Sequence, residues 1–312
     1  MWNDPITRFT LGVSAMFGLY WLFMRFAAPQ IFGKGKLSKG KSAVLGTAVL
    51  YLPGLGFLLL LIKDLPVFPV VPKSFVFADY VVVFAAQFFA FVLMALCSTL
   101  EIKLGLFSPQ FLESQDEENK GVDAFLTLTI IPLMEELLSR KLLGDVLGTD
   151  QLRLFLYMSA LVFSLIHLQT GRIAVPLGMF YTGFLWAWLY AASGSLLLCT
   201  AYHIAFNLFM VFIPEWLEKM KSQKVRGIYY AVLALVGVTG FLFMVFNVAH
   251  YLPPELSGEN PWRRIFSNGG VWVFIAVCVL SYVLGRWLMK VKGSKQENNG
   301  EPAAAQPNES SR

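Results

Sequence analysis

The sequence predicts an all-α, polytopic transmembrane helix bundle of about eight or nine spans. Hydrophobic residues make up 56% of the 312 positions and charged residues 14%, against ~25% charged in soluble domains. The mean hydropathy is +0.61, and the apolar residues gather in runs close to the ~20 residues that a helix needs to cross a bilayer. Ionisable and amide groups are sparse in these runs, with one exception. Between Val122 and Ile213, Glu135, Glu136, Arg140, His167, His203 and Asn207 stand among apolar residues, where such groups are costly unless a partner or water receives them.

Nine runs qualify, at about 9–28, 43–62, 75–98, 122–143, 151–169, 173–192, 195–213, 228–247 and 271–289. The first follows Asn3, Asp4 and Arg8 and ends with Arg25 near the position a signal-peptide cleavage site would need, so it is expected to be a retained span. The second holds Pro53 in "LPGLGF", which a membrane helix tolerates when neighbours satisfy the freed backbone groups. Residues 101–121, with "ESQDEEN", are expected to be a solvated connection. Pro253, Pro254 and Pro261 mark 248–270 as a loop. The polar segment 293–312 is expected to be disordered. The chain therefore divides into N-terminal spans at 1–121, a polar core at 122–213, C-terminal spans at 214–292 and a tail at 293–312.

Lys34, Lys36, Lys39 and Lys41 follow the first run, Lys219, Lys221, Lys224 and Arg226 the seventh, and Lys290, Lys292 and Lys295 the ninth. The positive-inside rule puts all three on the cytoplasmic side, which nine spans allow. The net charge of +5 thus reports orientation and contact with the lipid bilayer, and no nucleic-acid partner is expected. Cys97, Cys199 and Cys278 lie apart in apolar runs and read as small buried hydrophobes.

Three spacings carry chemistry: "EELLSR" from Glu135 to Arg140, "FSLIH" from Phe163 to His167 and "HIAFN" from His203 to Asn207. Residues four apart share a helix face, so Glu136 and Arg140 can pair, as can the members of the other two motifs. Glu135 is rotated about 100° from Glu136 and is left available as a base. A rise of 1.5 Å per residue places Glu135 and His203 each ~12 Å from span ends that face the same side, with Asn207 about one turn deeper. His167 is the misfit, at ~24 Å from Gln151, and reaches that level only if its helix begins outside the hydrocarbon. His250 reads as a solvated loop residue. A carboxylate, two imidazoles and a carboxamide in one wet cavity can activate water and stabilise an oxyanion, the two tasks of amide hydrolysis. The same set can also be a structural polar cluster tying helices together. H-E-x-x-H and G-x-S-x-G are absent, and Leu142 replaces the first glycine of the G-x-G-D pattern at Asp145.

Taken together and in order, E-E-x-x-x-R, F-x-x-x-H and H-x-x-x-N resemble the intramembrane glutamic endopeptidases of the CPBP or Abi family, which includes CAAX prenyl endopeptidases and bacteriocin-processing proteins. The approach to the third motif, with Gly183 and Gly194 suited to close helix packing, is similar as well. Many members have an aromatic before the arginine and a glycine after it, where this chain has Ser139 and Lys141. The resemblance implies a conical polar cavity between spans four, five and seven. It implies that Glu135 and His167 activate water, that His203 and Asn207 bind the oxyanion, and that Glu136, Arg140 and Phe163 support them.

The expected activity is hydrolysis of a peptide bond in a protein or peptide substrate at the membrane, free or lipidated. The expected place is the cell membrane of a bacterium or the endoplasmic reticulum of a eukaryote. No cofactor or metal is expected; zinc held by Glu135, His167 and His203 is the alternative. Two other readings use the same residues. One is a non-enzymatic scaffold or immunity protein with a structural cluster. The other is an ion-coupled transporter, against which stands the lack of an internal repeat.

Overall fold

The computed structural model describes residues 4–27, 30, 39–68, 75–105, 124–148, 151–170, 172–220, 222–251 and 260–298. Each apolar run lies on a helix. In order these are α1 (Pro5–Leu22), continued by a π turn over Phe23–Ala27, α2 (Lys39–Ile62), α3 (Phe77–Lys103) and α4 over 124–147. Then come α5 (Leu152–Ile166), α6 (Ala174–Ser193), α7 (Leu196–Lys219), α8 (Gln223–Phe246), a short α9 (Pro261–Phe266) and α10 (Gly269–Asn298). Among the described residues there is no strand, and the fold is an all-α bundle of membrane type.

Val44–Ile62, Phe77–Lys103, Leu196–Lys219 and Gln223–Phe246 are long and apolar enough to cross a membrane. α4 falls short because it carries Glu135, Glu136, Arg140, Lys141 and Asp145, and α5 because it has only 15 residues. Only 17% of the apolar window of α8 is buried, and Leu235 and Phe246 stand out from it at 67% and 82% exposure. Apolar surface on that scale is suited to lipid and not to water.

Polar side chains hold the helix ends. Asp4 caps α1 by accepting from Thr7 N at 2.8 Å, Ser195 caps α7 by accepting from Leu198 N at 3.2 Å, and Ser222 caps α8. Glu101, at the end of α3, accepts from Ile173 N and Ala174 N, the latter at 3.1 Å, and so places a carboxylate at the positive end of α6.

Glycines decide which helices touch. A Cβ at Gly12 would meet Leu58 Cδ1 at 2.5 Å, and one at Gly54 would meet the Met16 side chain, so α1 and α2 run antiparallel in close contact. On the other flank, Gly237 and Gly240 of α8 bring its backbone against α3 at Ala86–Phe89, where α3 breaks at Gln87 and Phe88. Gly183 seats α6 on α5, for a Cβ there would stand 3.1 Å from Ala160 Cα and 3.2 Å from Phe163 Cβ. Gly194 works differently from expectation: with φ +65° it closes α6 in the left-handed conformation, which other residues resist.

Three further expectations change. The segment 248–270 contains two short helices, Val248–Tyr251 and Pro261–Phe266. His250 is tied to the fold, its Nε2 2.9 Å from Asp79 Oδ1 at the start of α3. α10 continues through Gly293 to Asn298, into the segment expected to be disordered. "ESQDEEN" and residues 299–312 lie outside the described residues.

Candidate active site

Three helices bring the motifs together. α4 carries Glu135, Glu136 and Arg140, α5 ends at Phe163 to His167, and α7 carries His203 and Asn207. α4 and α7 both loosen into π turns next to these residues, at Leu126–Ile130 and Leu208–Phe212. Each of these turns leads toward a proline, Pro132 or Pro214, whose missing N–H removes a helical hydrogen bond from the preceding turn.

Glu136 and Arg140 form the expected pair, and both side chains are fully buried. Nε lies 3.1 Å from Oε2, out of line for a hydrogen bond, and Nη2 donates to Oε1 at 3.4 Å. The guanidinium also donates from Nη1 to Ser139 Oγ at 2.6 Å and to Ser159 Oγ at 2.8 Å. Ser159 in turn donates to the Ser139 carbonyl at 2.8 Å. Ser139, at the position where many members of the family the chain resembles have an aromatic, lays its hydroxyl against the guanidinium. Lys141, in place of a glycine, pairs with Asp145 one turn on. Phe163 covers the guanidinium, whose Cζ is 4.9 Å from the ring centre, within the range for a cation–π contact.

His203 joins this buried pair to the second carboxylate. Its Nδ1 is 3.0 Å from Glu136 Oε1 and its Nε2 is 3.6 Å from Glu135 Oε2, so Glu135 and His203 do stand at one level. The ring is clamped by Trp186, stacked at 4.5 Å between centres, and by the edge of Phe163 at 5.5 Å. Trp186 is itself fixed by donating from Nε1 to Gln87 Oε1 at 3.0 Å. Gln87 is fully buried at the break in α3, and its Nε2 has no hydrogen-bond partner among the described residues.

Glu135 and His167 face the same cavity, of ≈ 200 Å³, despite the depth mismatch expected for His167. A 3-10 turn, His167–Thr170, follows the short α5 there. His167 Nδ1 is 2.7 Å from the Phe163 carbonyl. A carbonyl only accepts, so Nδ1 carries a proton. Phe17, Tyr20, Thr47, Leu50 and Tyr51 from α1 and α2, with Ile131 and Ile166, complete the lining. His203 lies behind this cavity, against Glu135. Asn207 stands one turn along α7 and donates from Nδ2 to the Thr127 carbonyl of α4 at 3.0 Å.

Ser159, Trp186 and Gln87 are the residues of the site that the motifs did not reveal. Ser159 was within reach, because it precedes Phe163 and His167 at the same spacing of four on one helix face. Trp186 and Gln87 had no such signal, since their roles depend on helices far apart in sequence. Among the described residues, no group of three or more His, Cys, Asp or Glu side chains is arranged to hold a metal ion.

Comparison with curated proteins gave no match, and comparison with solved structures gave none. The polar core is matched by a family model: residues 118–209 fit the one described as Rce1-like, type II CAAX prenyl endopeptidase Rce1-like. The segment carrying all three motifs is thus similar to the Rce1-like domain of type II CAAX prenyl endopeptidases.

Proposed function

We propose that the chain is a multi-pass intramembrane endopeptidase, hydrolysing a peptide bond of a free or lipidated protein or peptide held at the membrane. The observation that carries this reading is the shared cavity of Glu135 and His167, backed by the buried Glu136–Arg140–His203 unit. Water between Glu135 and Nε2 of His167 loses a proton as its oxygen attacks the scissile carbonyl carbon. The carbonyl electrons move onto oxygen, where donors from the α7 side, His203 Nε2 and Asn207 Nδ2, meet the charge. Collapse of the tetrahedral intermediate breaks the C–N bond, and the proton held by the base leaves with the amine.

The buried unit prepares this chemistry. Glu136 and Trp186 fix the His203 ring, and Arg140 balances the Glu136 charge. Orientation and charge are thus set before substrate arrives, which is where electrostatic catalysis gains its advantage.

The test is proteolysis by purified protein on a panel of fluorogenic peptides with free or lipidated ends, comparing wild type with Glu135→Gln in the presence and absence of a strong chelator. Cleavage that is lost in the variant and indifferent to chelator is the expected result. Cleavage abolished by chelator would move the reading to a metal mechanism, and undiminished cleavage by the variant would remove Glu135 from the role of base.

A further inference from the structure

The family-matched segment, 118–209, supplies only part of the cavity. Phe17, Tyr20, Thr47, Leu50 and Tyr51 of its lining lie on α1 and α2, outside that segment. Tyr51 is the most constrained polar group among them. It is 5% exposed. It lines the same cavity as Glu135 and His167 and interacts electrostatically with Glu135.

Its position is rigid. The close contacts of Gly12 with Leu58 and of Gly54 with Met16 lock the register of α1 against α2. One turn further along that register, Phe17 and Tyr20 of α1 meet Leu50 and Tyr51 of α2 at the cavity wall.

The donors on the α7 side each face a partner in the resting site, which leaves the second N–H of Asn207 for the oxyanion. His203 faces Glu136 with Nδ1 and Glu135 with Nε2, and Asn207 Nδ2 donates to the Thr127 carbonyl. Because Nδ1 faces an accepting carboxylate, Nε2 can donate as well only when the ring carries both protons. A phenolic O–H needs no such condition, and a donor fixed in place before reaction is worth most where negative charge develops.

We propose that Tyr51 is a further catalytic residue of this site, whose hydroxyl donates a hydrogen bond to the substrate carbonyl oxygen as it becomes the oxyanion. The proposal rests on the proteolytic reading. The phenol keeps its proton throughout: the proton from water goes to Glu135 or His167, and Tyr51 contributes a hydrogen bond only.

Tyr51→Phe keeps the ring and deletes the donor. On a peptide that wild type cleaves, kcat should fall by ~10²–10³ with KM unchanged, the signature of a contact made in the transition state. A peptide phosphinate with the same side chains mimics the tetrahedral oxyanion. With chelator present, its affinity should fall by a similar factor in Tyr51→Phe, while affinity for the parent peptide in a Glu135→Gln background stays the same. Wild-type kcat and wild-type phosphinate affinity in Tyr51→Phe would overturn the proposal, as would a phosphinate that binds the native protein no better than the parent peptide does. Cleavage surviving Glu135→Gln would instead overturn the proteolytic reading, so the two failures are separable.

Discussion

Glu135 and Glu136 are neighbours in sequence and opposites in surroundings. Glu136 is fully buried, against Arg140 and His203, while Glu135 keeps 12% of its side chain exposed and lines the cavity with His167. About 100° of helix rotation separates the two. That rotation turns one carboxylate toward a sealed, charge-balanced interior and the other toward the cavity of ≈ 200 Å³. A carboxylate whose lone pairs are bound to a guanidinium and an imidazole holds the structure, and one with open space beside it can take a proton.

If this division is right, substitutions on the two sides should fail differently. The largest expected effect is on rate: Glu135→Gln should lower turnover by ~10²–10⁴, the worth of a general base, and change the thermal midpoint in detergent far less than a change at Arg140. Equal losses of folded protein in the two variants would erase the distinction. Next comes Arg140→Met, which leaves the Glu136 carboxylate buried without its cation and should cost ~3–5 kcal/mol of stability, read as a fall in the fraction of folded monomer. A variant as stable as wild type would mean that the pair carries no structural weight.

A smaller effect is expected at the clamp. Trp186→Phe keeps a ring against His203 but removes the donor to Gln87 Oε1, leaving a buried carboxamide unsatisfied at ~1–3 kcal/mol. Changing Gln87→Leu in the same chain should recover part of that loss, and a double variant no better than the single would show that the hydrogen bond is not what Trp186 supplies.

The smallest effect lies far from the site. Arg8 donates to both oxygens of exposed Asp64 at 2.8 and 3.0 Å, and this hydrogen bond holds the Asp64 carboxyl below its ordinary range. A depressed carboxyl stabilises above the unfolded value of ~3.9, and the contribution fades as pH falls through the lower folded value. Asp64→Asn should therefore flatten the acid limb of the stability profile slightly, and added salt should weaken the wild-type effect.

The motifs were legible in the sequence because their chemistry is local. Spacings of four on a helix announce Glu136 with Arg140 and the common face of Phe163 and His167, and the expected pair and the shared level of Glu135 and His203 follow from helix geometry alone. The same logic reached Ser159 only in hindsight. It could not reach Trp186, Gln87 or Tyr51, which arrive from α6, α3 and α2 along paths that no periodicity records. The reading of His250 as a solvated loop residue missed its tie to Asp79 for a related reason, since that partner is 171 positions away.

By itself the sequence determined the class of this protein: apolar composition and run length require helices in an apolar medium, and polar groups stranded among them require partners. Beyond the Glu136–Arg140 pair, tertiary structure decided which partners those are. The glycine contacts of α1 with α2 and of α3 with α8 fix where helices meet. Close packing at those contacts is a property of two surfaces, and no single stretch of chain contains both.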